Sequence, residues 1–166
     1  MSELTVDLLA RVEWLWQDDN AIADPSERGV VELLRPMAAG SGNFQFEKRW
    51  RSIRSLAAAA TETLDLQALS LSSGGVSGNV SFSTVKLIIV KMTSDVAGLK
   101  IGGTAASEWF APWQAAGRGQ ECGEGSPAII ASLKSGWAVT AGAKGLLLTN
   151  LSATDQADFQ IAIFGN

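Results

Sequence analysis

Short runs in which hydrophobic and polar residues alternate recur along the chain, and most of them end at Gly, Pro, Asn or Ser. A period of two is the repeat of a β-strand that buries one face. The alternation is clearest near the carboxy terminus, where two sets of residues share opposite faces: Phe159, Ile161 and Ile163 on one, and Gln160, Ala162 and Phe164 on the other. The pattern predicts about eight to ten short strands and no helix of normal length.

A nearly unbroken hydrophobic run, VKLIIV at residues 85–90, predicts a central strand that is covered on both faces. By contrast, the Gly- and Ser-rich segment SLSSGGVSGN at residues 70–79 is interpreted as a flexible connection. Many short strands separated by turns favour an all-β fold. We therefore expect an antiparallel β-sandwich with a jelly-roll-like arrangement.

Residues 7–17 fit two periodicities. A helical stripe would group Leu8, Val12, Leu15 and Trp16, whereas alternation groups Ala10, Val12, Trp14 and Trp16. Because both tryptophans favour strands, we interpret this segment as a strand preceded by a short arm. GVVELLRPM predicts a second short strand that ends at Pro36. Residues 1–20 then form an arm and first strand, and residues 21–166 form a single domain.

Composition limits the class of protein. The chain has 166 residues, of which 46% are hydrophobic and 18% charged, as expected for a folded domain. The net charge of −4 argues against nucleic-acid binding, and the basic run at residues 48–51 with Arg54 is interpreted as the solvated face of a strand. No run reaches the ~18 apolar residues of a membrane span. We expect a protein that binds neither nucleic acid nor membrane.

The chain contains no histidine and one cysteine, Cys122. Catalysis by Ser–His–Asp or Cys–His groups therefore lacks its base, and zinc, haem or iron–sulfur ligation by this chain alone is not expected. Cys122 has few basic neighbours to activate it. We predict no catalytic residue, no cofactor and no metal, and a protein that is not an enzyme.

Carboxylates are the remaining candidates for chemistry. Glu108 with Glu121 or Glu124 could form a glycosidase-like pair, although nothing marks either partner as an acid. Asp18, Asp19 and Asp24 with Glu27 offer oxygen ligands for Ca²⁺, but their spacing matches no EF-hand loop. We interpret both groups as exposed polar residues rather than sites.

Large aromatic residues are the most conspicuous unexplained feature. Trp109, Phe110 and Trp113 follow a Gly-Gly pair in GGTAASEWFAPW, and Trp14 and Trp16 lie near the amino terminus. All five are candidate subunit-interface or ligand-platform residues, because Trp and Phe are enriched at protein interfaces and Trp stacks on sugar rings. They could instead close one end of the protein's own core. A platform requires exposed, coplanar rings, whereas the other two roles require burial.

The order of segments in the carboxy-terminal half resembles that of small virion proteins of tailed bacteriophages. VKLIIVKMTS, LKIGGTAASEWFAPW, GWAVTAG, GLLLTN and FQIAIFG are similar to that group's "VGGAASN-W", "GWxVTAGxxxLLxIxN" and "Y-x-I-x-I-x-G". RSLAAAATETLDL is similar to its "RTLAASATEDLDL". The resemblance covers roughly residues 54–165. This chain departs from the pattern at CGEGSPAIIASL, where a Pro-Gly-Gly turn is usual, and in its longer, Trp-rich amino-terminal part.

The resemblance implies a structural role in the virion and supplies no catalytic residue. We expect a capsid decoration or cement protein that stabilises the head by bridging capsomers. Its partners would be the major capsid protein and copies of itself, with a homotrimer favoured, and it would be assembled in the host cytoplasm. The alternative is a carbohydrate- or receptor-binding β-sandwich module of the tail.

Overall fold

The computed structural model describes the backbone of residues 6–17, 26–73 and 76–166, and the side chains of residues 37–71 and 78–166. These residues form strands, turns and connections without a helix, so none of them forms a helix that could cross a membrane. Their strands pair antiparallel in more than one sheet. The all-β class predicted from the alternation is confirmed.

Residue contacts divide the chain into two compact units, Met1–Ala39 and Gly40–Asn166. In the first unit, β1 (Val6–Gln17) pairs antiparallel with β2 (Ser26–Ala39) along its whole length. This pairing confirms the strand interpretation of residues 7–17 over the helical one. The domain division expected near residue 20 stays a prediction.

Pro36 does not end the second strand, and that prediction is wrong. β2 continues to Ala39, with Pro36 opposite Asp7 and the register unchanged on either side. A proline removes one N–H donor from a ladder, but its fixed φ is compatible with extended backbone. One missing donor is therefore tolerated within the fourteen residues of this strand.

The second unit contains twelve strands, which brings the described total to fourteen. In chain order they are β3 (Gln45–Phe46), β4 (Lys48–Leu56), β5 (Thr61–Asp65), β6 (Leu69–Ser73), β7 (Val76–Val80), β8 (Thr84–Met92), β9 (Leu99–Gly102), β10 (Gly119–Cys122), β11 (Pro127–Ala131), β12 (Trp137–Ala138), β13 (Gly145–Asn150) and β14 (Ala157–Gly165).

Two sheets supply most of the core of this unit. One has the order β10-β9-β13-β5, and the other has the order β11-β8-β14-β4, with β12 also pairing with β8. Strands β6 and β7 form a separate hairpin. A single hydrophobic cluster draws on both sheets, including Leu99, Ile101, Leu146 and Leu148 from the first and Ile88, Val90, Phe159, Ile161 and Ile163 from the second.

The alternation of β14 is confirmed residue by residue. Phe159, Ile161 and Ile163 are buried in the core, and the residues between them are half-buried on the opposite face. In β8 the prediction of cover on both faces holds only in part. Leu87 is fully buried, whereas Ile89 is half-buried and Lys91 is exposed.

The described strands outnumber the eight to ten predicted from the sequence. The additional strands include the short β10 and the β6–β7 hairpin, which lies within the segment interpreted as a flexible connection. The two-residue β3 and β4 divide one alternating run, FQFEKRWRSI, at Glu47. The hairpin pairs Leu69 with Val80 and Leu71 with Gly78, and Leu69 is buried in the core. The strands were not predicted because they are short and their hydrophobic residues are few: Leu69 and Leu71 in β6, and Val76 and Val80 in β7, stand among Ser, Gly and Asn, which are typical of loops.

Candidate functional site

The aromatic segment lies in the connection between β9 and β10. Gly102 ends β9 with a φ of 99°, and Gly103 follows with a φ of 124°. A Cβ atom on Gly102 would lie 2.8 Å from the carbonyl oxygen of Arg118 and 2.9 Å from the ring of Trp113. Both the backbone angle and the close approach therefore require glycine. The Gly-Gly pair starts the connection that carries the aromatics.

Trp109 is buried in the core of the second unit, with 1% of its surface exposed. Its Nε1 donates a hydrogen bond to the carbonyl oxygen of Ala138 at 2.8 Å. Its backbone N–H donates a hydrogen bond to the carbonyl oxygen of Gly145 at 2.9 Å. The residue thus joins the β9–β10 connection to β12 and to the start of β13. A buried indole whose N–H is satisfied is a stable core element.

Two further tryptophans pack edge-on against Trp109. The ring centroids of Trp113 and Trp137 lie 6.2 and 6.3 Å from it, with interplanar angles of 83° and 86°. Trp113 is half-buried against the core, and Phe110 is 40% exposed. The two rings of the Trp109–Trp113 pair are nearly perpendicular, and Trp109 is part of the hydrophobic core, whereas a sugar-stacking surface uses exposed, coplanar rings. The subunit-interface or ligand role of Trp109, Phe110 and Trp113 stays a prediction.

The other two candidate aromatics are Trp14 and Trp16. Their backbones lie in β1, opposite Gly29 and Glu27. Their side chains lie outside the described residues, so the interface or ligand role predicted for them stays a prediction.

Of the candidate carboxylates, Glu108 forms a hydrogen bond within its own connection. Oε1 of Glu108 accepts a hydrogen bond from the backbone N–H of Gly117 at 2.7 Å, which closes the β9–β10 connection on itself. Glu121 lies in β10, opposite Lys100. Among the described residues, no group of three or more His, Cys, Asp or Glu side chains could hold a metal ion. The acidic segment at residues 18–24 and the side chain of Glu27 lie outside the described residues.

Cys122 is buried, and its Sγ donates a hydrogen bond to the carbonyl oxygen of Ser126 at 3.0 Å. Burial raises the pKa of this thiol above its ordinary value. The thiolate is the reactive form of cysteine, so both observations agree with an unreactive, packed residue.

Lys86 is a buried cation that the sequence analysis missed. Only 3% of its surface is exposed, and its Nζ donates to the carbonyl oxygens of Ser41, Gly42 and Gln45 at 3.3, 2.7 and 2.6 Å. Burial lowers the pKa of this ammonium group, and the charge of Glu47 acts in the opposite direction. Three carbonyl acceptors compensate for the water that the ammonium group has lost.

A β-bulge places Lys86 at this position. Phe164 of β14 pairs with Leu87 and Gly165 pairs with Val85, so Lys86 is an extra residue in β8. The only sequence signal was a lysine inside the hydrophobic run VKLIIV, which cannot identify acceptors more than forty residues away.

The loop that Lys86 holds covers one end of the five-stranded sheet on the side away from the core. Phe46, fully buried, packs against Phe164 with ring centroids 5.1 Å apart. Asn166 adds a hydrogen bond from Nδ2 to the carbonyl oxygen of Ser41 at 3.2 Å. Lys86 and Asn166 therefore fix the segment that encloses this end of the sheet.

The rest of that side, here called the outer face, is open. Its residues lie in rows across the sheet because directly paired residues share a face. One row is Ile129, Ile89, Ala162 and Arg51, and the adjacent row is Pro127, Lys91, Gln160 and Ile53.

The outer face combines hydrophobic and basic side chains. Ile53 is 70% exposed and Ile129 is 42% exposed, with half-buried Ile89 beside Ile129. Arg49, Arg51 and Lys91 are exposed around them, on a chain whose net charge is −4. Such a surface is a candidate protein-docking face rather than a catalytic site. No family model, curated protein or solved structure matches this chain.

Proposed function

We propose that this protein is a non-enzymatic structural component of a tailed-phage virion, and specifically a capsid decoration or cement protein. It binds the major capsid protein and copies of itself, as a homotrimer, and bridges neighbouring capsomers. The phage assignment rests on the motif resemblance in residues 54–165. The absence of histidine from the sequence supports a role without catalysis of the Ser–His–Asp or Cys–His type.

The observation that carries an assembly role is the outer face. Exposed Ile53 and Ile129 lie among Arg49, Arg51 and Lys91 on a sheet whose opposite side is already packed. Protein interfaces combine apolar contacts with arginine and a polar rim, and stable ones bury roughly 1,200–2,000 Å² in total. Docking through this face would remove the exposed isoleucines from water and add cross-links between shell subunits.

We also propose how the two sheets of the second unit are arranged. We infer a β-sandwich of the jelly-roll type, supported by two antiparallel sheets that contribute to one hydrophobic cluster. A rigid sandwich suits a cement protein because its outer faces stay fixed when the core between the sheets is packed.

The test is the copy number of this chain in purified particles of the phage that encodes it. Quantitative mass spectrometry should give a stoichiometric ratio to the major capsid protein, and removal of the chain should lower the temperature at which heads rupture. A few copies per particle would overturn the cement role and favour a tail component. Sugar-dependent quenching of tryptophan fluorescence would then support the carbohydrate-binding alternative.

A further inference from the structure

Strand β4 is a terminal strand whose outer edge borders a groove. It pairs with β14 on one side, and among the described strands none pairs with its other side. Near its start, Nε1 of Trp50 donates to the carbonyl oxygen of Ser70 at 2.8 Å, so the β6–β7 hairpin lies against that end. From Ser52 to Leu56 the edge faces a groove of about 510 Å³, whose far wall is Thr61 and Glu62 of β5.

The geometry of an antiparallel pair leaves half of the backbone groups of an end strand pointing away from its neighbour. These groups can accept a further strand if it reaches them in extended form. Arg54 of β4 forms an ion pair with Glu62 of β5, and both residues line the groove. That contact holds the groove in place. On the outer face, Arg51 donates a hydrogen bond to Oε1 of Gln160 at 3.2 Å, and Arg49, Arg51 and Ile53 are exposed.

The charge of β4 indicates which kind of added strand could bind at its edge. Lys48, Arg49, Arg51 and Arg54 make four of its nine residues basic, and none is acidic. Arg49, Arg51 and Ile53 alternate along the outer face, all three exposed. An added strand would place its own alternate side chains beside these three. Carboxylates would face the two arginines, and an apolar side chain would face the isoleucine.

A second copy of β4 is the less suitable occupant. Two copies paired at their edges would bring Arg49 and Arg51 of both copies into one two-stranded ribbon, without an acidic residue in either strand. Lysine and arginine on an edge strand are a known device against this kind of self-pairing. The charge complementarity therefore favours a foreign, acidic strand.

We propose that the β4 edge binds an extended acidic segment of another polypeptide by strand addition along Ser52–Leu56, with an apolar residue on Ile53 and with carboxylates that reach the exposed side chains of Arg51 and Arg49 beyond the paired stretch. This inference goes beyond the proposed assembly role, because the edge would bind such a segment whichever protein carries it. In a particle, the segment would belong to a shell protein.

The test uses the full-length protein and a synthetic nine-residue peptide with Val at position 4, Glu at positions 6 and 8 and Thr elsewhere, here called the Glu–Val peptide. It is capped at both ends and labelled with fluorescein, and its Val and Glu side chains share one face, as Ile53, Arg51 and Arg49 do. Fluorescence anisotropy should show saturable binding that weakens as salt rises, because the contacts are partly electrostatic. A Lys–Val peptide of the same length should not bind. Hydrogen exchange should show protection of β4 amides when the Glu–Val peptide is present.

Two N-methylated peptides separate strand addition from simple charge attraction. One carries methyl groups on the nitrogens of Val and the two Glu residues, and the other on the nitrogens of the Thr residues between them. An added strand bonds through one edge only, so one methylated peptide should bind like the parent and the other should lose at least about tenfold in affinity. Equal binding of both would overturn the proposal.

Matched protein variants locate the site. Arg49→Glu with Arg51→Glu should weaken Glu–Val peptide binding at least about tenfold and allow the Lys–Val peptide to bind. Arg118→Glu with Lys134→Glu makes the same change in net charge at exposed positions away from β4, and should alter affinity less than about twofold. Unchanged binding by the first variant would overturn the proposal. So would concentration-dependent dimerisation that Arg49→Glu abolishes. Neither result depends on particles, so failure here is distinguishable from failure of the cement role.

Discussion

Nε1 of Trp109 and the carbonyl oxygen of Ala138 form a 2.8 Å hydrogen bond that ties the β9–β10 connection to β12. Trp109→Ala should lower the free energy of unfolding by about 3–5 kcal/mol, because it empties a large core position. Trp109→Phe keeps most of the apolar contact and loses the donor, so about 1 kcal/mol of that loss belongs to the hydrogen bond itself. Urea denaturation followed by circular dichroism measures both changes.

Phe110→Ala is the matched control for Trp109, since Phe110 is adjacent in sequence and 40% exposed. Its loss should stay below about 1 kcal/mol. Equal destabilisation by Trp109→Ala and Phe110→Ala would contradict the placement of Trp109 in the core.

Lys86→Met should loosen the loop at residues 40–46, because three carbonyl oxygens lose their shared donor. We expect a loss of about 1–3 kcal/mol and faster hydrogen exchange in that loop. Lys91→Met changes an exposed lysine of the same strand and should leave exchange in the loop unchanged. Unaltered loop exchange in Lys86→Met would refute the anchoring role.

Gly165→Ala should destabilise the protein by about 1–3 kcal/mol, because the new Cβ would overlap the carbonyl oxygen of Thr84. That carbonyl belongs to the backbone, so the clash requires the end of β14 to move. Gly142→Ala is the control, since its Cβ would meet no atom within 4 Å. Thermal unfolding of the two variants should separate them clearly, and similar melting temperatures would count against the close approach.

The ion pair between Asp65 and Lys144 predicts a small loss of stability in acid. Nζ of Lys144 lies 2.6 Å from Oδ2 of Asp65, and its hydrogen bond holds the pKa of Asp65 below the ordinary value of 3.8. The unfolded chain therefore takes up this proton first as the pH falls. The stabilisation is complete well above pH 3.8 and is lost as the pH falls through that value towards the lowered pKa.

Both side chains of this pair are partly exposed, so its contribution should be about 0.5 kcal/mol or less. Urea denaturation between about pH 6 and pH 3 should show a shallower decline for Asp65→Asn than for the parent protein. Parallel declines would show that the pair contributes nothing to the acid sensitivity.

Local sequence patterns located the strands that bury one face against the core. Phe159, Ile161 and Ile163 are identifiable in β14 because burial of one face imposes a period of two on the residue types. The sequence did not predict the β6–β7 hairpin, because its Ser- and Gly-rich strands are stabilised by pairing with each other and by Leu69 in the core. The hydrophobic positions of the two strands, two in each, are too few to distinguish them from a Gly- and Ser-rich loop in the sequence.

Composition and periodicity by themselves determined that this is an all-β protein without histidine-based chemistry. Tertiary structure alone decided the position of Trp109 and the environment of Lys86. The β9–β10 connection has no period, so the burial of Trp109 depends on Ala138 and Gly145, which are distant in sequence. Lys86 likewise finds its acceptors more than forty residues away. Such contacts depend on how separate segments meet in space, and local residue patterns do not encode that.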